Sequence, residues 1–244
     1  MTNSKARAFA ALHRPGEPLI LFNAWDAGSA RTVEAAGAKA IATASWAVAA
    51  ANGFEDGESL PLDLALDNLG RIVAATDLAV TIDLERGYAD APASARAAAE
   101  AGAVGCNVED GLAEGGITRA DDQCECLLAI RKAVGADFFL NARTDLFLQA
   151  KPDLHPDLVK QALDRAHAYA EAGASGLFVP GLADPDLIAT VCAKSPLPVN
   201  VMAGAATPPR ARLAALGVAR ISHGPGPWRL AMKALGDAAR AAFA

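Results

Sequence analysis

Residues Leu78 to Asp110 read LAVTIDLERGYADAPASARAAAEAGAVGCNVED, and this stretch decides the architecture. Leu78–Glu85 is a short apolar run with β-branched residues, an Ala-rich segment follows over 92–102, and Val104–Asp110 is a second short apolar run. Such runs, separated by a helical segment, read as a strand, a crossover helix and the next parallel strand, because parallel strands are covered on both faces. Pro92 stands near the helix start, where the N–H it lacks would have no partner. Gly102 stands at the other end, where a positive φ closes the helix.

The same unit recurs along the chain. Predicted strands are Leu19–Trp25, Ala40–Ser45, Leu78–Glu85, Val104–Asp110, Phe138–Asp145, Gly176–Gly181, Leu197–Ala203 and Val218–Gly224, and predicted helices fall at about 27–37, 63–76, 92–102, 118–134, 156–173, 184–194, 207–216 and 226–242. Ala-Gly-Ala ends recur at 36–38 and 172–174, and Pro156, Pro185 and Pro208 repeat the helix-start signal. Eight alternations in 244 residues predict a single-domain α/β (β/α)8 TIM barrel over 1–244, a fold of about 250 residues. A doubly wound open sheet would need a Gly-rich first turn, and Asn23-Ala24-Trp25-Asp26-Ala27-Gly28 is not a dinucleotide fingerprint.

Composition narrows the function. The hydrophobic fraction of 52% suits strands buried on both faces. No apolar run approaches the ~20 residues of a membrane span, and the stretch before His13 lacks the apolar core of a secretory signal, so a cytoplasmic location is expected. Cys106, Cys124, Cys126 and Cys192 are too few for a disulfide scaffold and read as reduced thiols. A net charge of −6 without a basic cluster excludes a nucleic-acid footprint. What remains is chemistry on a small molecule.

In a barrel of this kind the active site lies at the C-terminal strand ends. Strand 3 ends in Asp83-Leu84-Glu85-Arg86, strand 4 in Glu109-Asp110 and strand 5 in Arg143-Thr144-Asp145, while Asp56 and Glu58 occupy the loop after strand 2. Asp83 and Glu85 at i and i+2 project to one face, and two carboxylates sharing one spot repel unless a cation sits between them. A hard, oxygen-liking ion such as Mg²⁺ satisfies that pattern, with Asp56 and Glu109 completing its shell directly or through water. The same acids can instead cap helices or pair with Arg86 and Arg143 as a structural network. Arg143 itself reads two ways, as a bidentate clamp on a substrate carboxylate or as an internal ion pair with Glu109 or Asp145. Ser45, Trp46 and Ala47 offer a hydroxyl and backbone N–H groups to an anion. His13 and His155 read as loop or surface residues, and His223, at the end of strand 8, is the histidine placed for acid, base or substrate contact.

At these residues the chain resembles the isocitrate lyase and phosphoenolpyruvate mutase superfamily, in its phosphonomutase-like branch, from about Leu19 to Arg229. The likeness is carried by Asp83-Leu84-Glu85 with Gly87-Tyr88, Val108-Glu109-Asp110, Asn141-Ala142-Arg143-Thr144-Asp145 and the loop Gly53-Phe54-Glu55-Asp56-Gly57-Glu58. The resemblance implies that Asp83 ligates Mg²⁺, with Mn²⁺ as the alternative ion, and that Asp56, Glu85 and Glu109 act mainly through its waters. It further implies that Ser45, Trp46 and Ala47 hold the substrate carboxylate, that Arg143 faces the charge developing on the substrate, that Asn200 is a substrate-side residue, and that the chain forms a homo-oligomer, dimer or tetramer, through its Ala- and Leu-rich last helix at about 226–242.

The departures direct the choice of reaction. Where the lyases carry a Lys-Arg-Cys-Gly loop after the strand 4 acid, this chain has Gly111-Leu112-Ala113-Glu114-Gly115-Gly116-Ile117, which lacks both that cysteine and the lysine of the mutases and hydrolases. No lysine falls at a lumen-facing strand end, which excludes a Schiff-base aldolase. A metal, an arginine and a carboxylate pocket together stabilise an enolate next to a 2-oxo acid. The expected enzyme is a Mg²⁺-dependent carbon–carbon lyase on a small 2-oxo (di)carboxylic acid such as oxaloacetate, with Arg143, Glu109 and His223 as catalytic residues. The alternatives are a phosphoenolpyruvate or phosphonopyruvate mutase or hydrolase, and a non-catalytic 2-oxo acid binder.

Overall fold

The computed structural model describes residues 2–244, with side chains from Ser4 onward. Eight parallel strands, β1 (Leu19–Leu21), β2 (Ala40–Ala42), β3 (Ala79–Asp83), β4 (Gly105–Glu109), β5 (Phe139–Arg143), β6 (Gly176–Phe178), β7 (Val199–Met202) and β8 (Arg220–Ser222), follow one another around one sheet in the order β1-β8-β7-β6-β5-β4-β3-β2. The seam between β1 and β2 is closed by a parallel bridge from Ala24 to Thr43, with Ala24 N–H donating to the Ala42 carbonyl at 2.8 Å. The (β/α)8 barrel expected from the alternation is therefore the observed fold. The strands are shorter than their apolar runs, at both ends in β3, β4, β5, β7 and β8, and the last residues of each run lie beyond the ladder at the mouth.

Helices α1 (Thr2–Ala10), α2 (Ala27–Ala35), α3 (Ser45–Ala51), α4 (Leu62–Ala75), α5 (Ala91–Glu100), α6 (Ala120–Val134), α7 (Leu146–Gln149), α8 (His155–Glu171), α9 (Pro185–Lys194), α10 (Arg210–Ala215) and α11 (Gly226–Phe243) complete the chain. Three of them, α1, α3 and α7, have no counterpart in the sequence pattern. Helix α1 plugs the N-terminal end of the barrel, where Phe9 packs with Leu19, Leu21 and Phe139. His13 belongs to this plug and is buried, a correction to its expected surface position. Its ring stacks on Phe139 at 3.9 Å and its Nδ1 lies 3.0 Å from the Phe9 carbonyl oxygen. Burial, aided by the charge of Arg220, pushes it down to about 3, so it is neutral. His155 is likewise buried, with Nε2 2.9 Å from the Phe147 carbonyl oxygen, because the loop after β5 folds back as α7 and covers it. The four cysteines are free thiols. No helix among the described residues is long and apolar enough to cross a membrane.

A second buried structure ties the helical shell to the mouth. Asp110, fully buried just past β4, accepts hydrogen bonds from Tyr169 Oη at 2.7 Å and Arg165 Nη1 at 3.1 Å on one carboxylate oxygen, and from Asp145 N–H at 2.9 Å on the other. Helix α8 thereby holds the backbone of the residue that follows β5 by two positions. A buried pair that loses one partner leaves an uncompensated charge and costs about 3–5 kcal/mol. Arg165→Met should accordingly lower the stability measured by urea denaturation by about 3 kcal/mol. Lys160→Ala, which breaks the exposed pair with Asp164 at 2.7 Å, should change it by less than about 0.5 kcal/mol. Equal effects from the two variants would count against a structural role for the Asp110 network.

Candidate active site

The acidic residues singled out in the sequence meet at the barrel mouth. Asp83, the last residue of β3, receives hydrogen bonds from the Ser45 hydroxyl at 3.1 Å and Ser45 N–H at 3.4 Å on Oδ2. Its own N–H donates to Thr43 Oγ1 at 3.0 Å, and its Oδ1 is buried with no partner. Ser45 is thus the first residue of the short helix α3, aimed back at the acid. The Trp46 ring turns instead to α11, edge-on to Trp228 at 5.3 Å and under the Arg229 guanidinium at 4.5 Å. Ala47 is buried and its N–H donates to the Ala44 carbonyl at 3.0 Å.

The loop carrying Asp56 is clasped onto the residues after β3. Glu58 N–H donates to Glu85 Oε2 at 2.6 Å, and the Glu58 carboxylate in return accepts from Tyr88 N–H at 2.7 Å, Arg86 N–H at 3.1 Å and the Arg86 guanidinium at 3.0 Å. Glu58, Glu85 and Tyr88 all have left-handed backbones, with φ of 66°, 53° and 59°. Such conformations in non-glycine residues are strained and persist where their surroundings over-determine them. Gly87 between them has φ +100°, and a Cβ there would lie 2.2 Å from the Ala91 side chain. The Gly87-Tyr88 pair noted in the sequence is therefore a backbone requirement of this clasp. Glu58 was named in the sequence only as a loop acid; its latching role had no signal beyond its place two residues after Asp56.

Glu109 and Arg143 end neighbouring strands and stand opposite each other in register. Arg143 Nη1 reaches Glu109 Oε2 at 2.6 Å, while Nε and Nη2 grip Asp145 at 2.6 and 2.9 Å. Arg143 thus makes internal ion pairs with both Glu109 and Asp145. Burial alone would lower its proton affinity, but Glu109 and Asp145 outweigh that and raise it, so the guanidinium stays charged. Gly111 leaves room for the pair, since a Cβ there would come 2.8 Å from Asp145 Oδ2.

Crowding of acids shows in their proton affinities. Burial, then the charges of Asp83 and Asp56, pushes Glu85 up to about 7. Burial lifts Glu109 above the ordinary glutamate value despite Arg143, and partial desolvation together with Asp83 raises Asp56. No three carboxylate, histidine or cysteine side chains among the described residues converge closely enough to ligate one ion unaided. The unpartnered Asp83 Oδ1 and the surrounding raised carboxylates fit a hard cation held by one direct carboxylate and by water on the rest, the manner in which Mg²⁺ keeps several of its waters.

Asn200 and His223 are bonded to residues other than these acids. Asn200, on β7, is buried in the lumen and its amide exchanges hydrogen bonds with Ser222 at 3.2 and 3.3 Å. His223 follows β8, with its ring 5.0 Å from Phe22 and its N–H bonded to Asn23 Oδ1 at 2.9 Å. Burial lowers its proton affinity, so it is neutral at pH 7, which suits a base or a hydrogen-bond contact better than an acid.

This barrel with its acidic mouth has known counterparts. The phosphoenolpyruvate phosphomutase family model matches residues 9–243, and the chain belongs to that family. Its structure superposes on that of a phosphonomutase-like protein from Burkholderia cenocepacia J2315 with a TM-score of 0.96, 50% identity and coverage of 99% of this chain and 100% of the other. It is 28% identical to the 2-methylisocitrate lyase of Salmonella typhimurium over 222 residues, 84% of this chain and 73% of the relative. It shares its fold with a phosphonopyruvate hydrolase whose structure contains oxalate and Mg²⁺, at a TM-score of 0.83 and 21% identity over 96% and 84% of the two chains. Its relatives thus include a lyase as well as a phosphoenolpyruvate phosphomutase, that of Streptomyces hygroscopicus, which is 30% identical over 69% of this chain and 56% of the relative.

The raised carboxylates give a stability signature. A folded-state proton affinity above the unfolded value means that the folded protein binds more protons, so stability falls as pH rises through the interval. For Glu85 that interval runs from 4.5 to about 7, and Glu109 extends it upward. In EDTA the melting temperature should therefore fall as pH rises across this range, and saturating Mg²⁺ should raise it more at about pH 8 than at about pH 5. A metal-free melting temperature that is flat or rises across the range would show that these acids are not crowded.

Proposed function

We propose that the protein is a Mg²⁺-dependent lyase that cleaves a carbon–carbon bond of a small 2-oxo (di)carboxylic acid such as oxaloacetate. The observation that carries this reading is the buried, unpartnered Asp83 Oδ1 at the centre of a ring of carboxylates with raised proton affinity. Asp83 would hold the ion directly, and Asp56, Glu85 and Glu109 through its waters, with Mn²⁺ as a substitute. When bound, the ion supplies a Lewis acid that draws charge from a substrate oxygen.

The chain's own residues account for the rest. Ser45 and the first turn of α3 would receive the substrate's 1-carboxylate, the hydroxyl exchanging Asp83 for the substrate. Arg143 would stand beside the 2-oxo oxygen, where negative charge accumulates as the bond breaks, and Glu109 and Asp145 would fix its orientation. With oxaloacetate the bond between C3 and C4 breaks, carbon dioxide leaves, and the electron pair remains as the enolate of pyruvate. Solvent would return the proton to C3, since neutral His223 is a poor donor and the carboxylate of the loop after β4, Glu114, is exposed. The loop over 111–117 has neither lysine nor cysteine, which favours a lyase that needs little acid catalysis over phosphoryl transfer.

The reading extends to assembly. Helix α11 is exposed along most of its length, with Leu230, Leu235 and Phe243 63%, 62% and 88% exposed at different positions around it, apolar area that packing against a second copy of the chain would reduce. Light scattering should give a multiple of the 24.9 kDa monomer mass, and a monomer would count against it.

Two substitutions test the chemistry. Asp83→Ala should abolish Mg²⁺-dependent pyruvate formation from oxaloacetate while its far-ultraviolet circular dichroism stays that of the parent, and loss of secondary structure would make the carboxylate structural. Arg143→Lys keeps the charge and loses the fork, so kcat/KM should fall roughly 30- to 1,000-fold, the equivalent of about 2–4 kcal/mol in the transition state. If the variant melts early yet its folded fraction turns over at the parental rate, Arg143 is structural only.

A further inference from the structure

The lumen beneath the mouth contains a charge that the proposed chemistry has not used. Arg220, the first residue of β8, is 1% exposed in the centre of the barrel. No carboxylate lies within ion-pair distance of it among the described residues. Its Nε donates to Ser222 Oγ at 3.2 Å and its Nη2 to Asn107 Oδ1 at 3.2 Å, while Nη1 is buried with no partner. Asn107 stands opposite Asp83 in the β3–β4 register, so the guanidinium reaches the strand pair that carries the candidate metal ligand.

A buried charge without a counter-charge is costly, and hydrophobic replacements of similar volume are often neutral or stabilising. Both acceptors of Arg220 have other partners: Asn107 Oδ1 also accepts from Asn141 Nδ2 at 2.8 Å, and Ser222 Oγ is bonded to the Asn200 amide. Removing the guanidinium would therefore leave neither acceptor without a partner. The mouth above it is rich in negative charge. Asp56, Glu58, Asp83, Glu85, Glu109 and Asp145 surround it, while Arg86 and Arg143 are already bonded to members of that set. Even with a divalent ion in place, such a rim repels an anionic oxo acid.

Resting on the lyase reading above, we propose that Arg220 is an electrostatic positioning residue, whose unpaired charge below Asp83 weakens ion binding and strengthens binding of the anionic substrate. It touches neither ligand and acts through the low-dielectric lumen, where fields are focused. Burial lowers it to about 9, partly offset by Asp83, so it remains a cation at neutral pH.

The test uses the full-length chain with Mg²⁺ alone and with oxalate as the anion probe, both by titration calorimetry, beside melting temperatures in EDTA. A unit charge acting over roughly 10 Å at a partly buried site is worth on the order of tenfold in affinity. Arg220→Met should bind Mg²⁺ about tenfold or more tightly, bind oxalate in saturating Mg²⁺ about tenfold more weakly, and melt no lower than the parent. Arg220→Lys keeps the charge and should stay near parental values in both titrations. A methionine variant that melts well below the parent or fails to fold makes Arg220 structural and overturns the proposal, as does Mg²⁺ affinity within about twofold of the parent. Failure of the parent itself to bind oxalate with Mg²⁺ would instead sink the lyase reading, and the Mg²⁺ titration would still decide the role of Arg220.

Discussion

Repulsion among carboxylates is the constraint on which the rest of the mouth depends. Asp56, Glu58, Asp83, Glu85, Glu109 and Asp145 come from three strand ends and one loop, and each must be held near others of the same charge. The structure does this with two kinds of restraint. Guanidiniums are threaded between the acids, Arg86 between Glu58 and Glu109 and Arg143 between Glu109 and Asp145. Backbone N–H groups neutralise what remains, as at Glu85 and Glu58. Neither removes the crowding, and burial leaves Glu85, Glu109 and Asp56 with a raised affinity for protons or for a cation in their place.

The restraints are anchored outside the mouth. Asp145 can orient Arg143 because its backbone is tied to Asp110, which is tied to Arg165 and Tyr169 on α8. On the opposite side, the Asp56 loop is held by three residues in left-handed conformations that only the reciprocal Glu58 and Glu85 contacts make tolerable. The mouth is thus a preorganised electrostatic surface, with its strain stored in backbone and its charge partly balanced from beneath. Preorganised charge of this kind stabilises developing anions because it does not have to reorient as they form.

Much of this was legible in the residues. The repeat of short apolar runs and Ala-rich segments determines the barrel, since a strand covered on both faces and a helix bounded by proline and glycine are local properties of composition and spacing. The acids at the ends of those runs could likewise be placed at the mouth, because alternation along a strand assigns Asp83 and the barrel rule assigns its end. Arg220, a charge within the strand predicted over Val218–Gly224, was not singled out in the sequence, because nothing local says what it faces.

Other features depend on partners distant in sequence. Whether Arg143 is free or paired is decided by Glu109, 34 positions earlier, and by a turn that brings Asp145 back onto the same guanidinium. His13 and His155 became buried because α1 plugs the barrel and α7 folds over the β5 loop, and neither helix has the length or periodicity to be read in advance. Glu58 became a latch only through its contacts with Glu85, Arg86 and Tyr88, about 30 residues away. By itself the sequence determined the period of the chain and therefore the end of the barrel at which charge collects. The pairing of those charges, and which of them keep an oxygen or nitrogen without a partner, was decided by the tertiary structure, because distance and burial between residues far apart in the chain are not encoded in any local pattern.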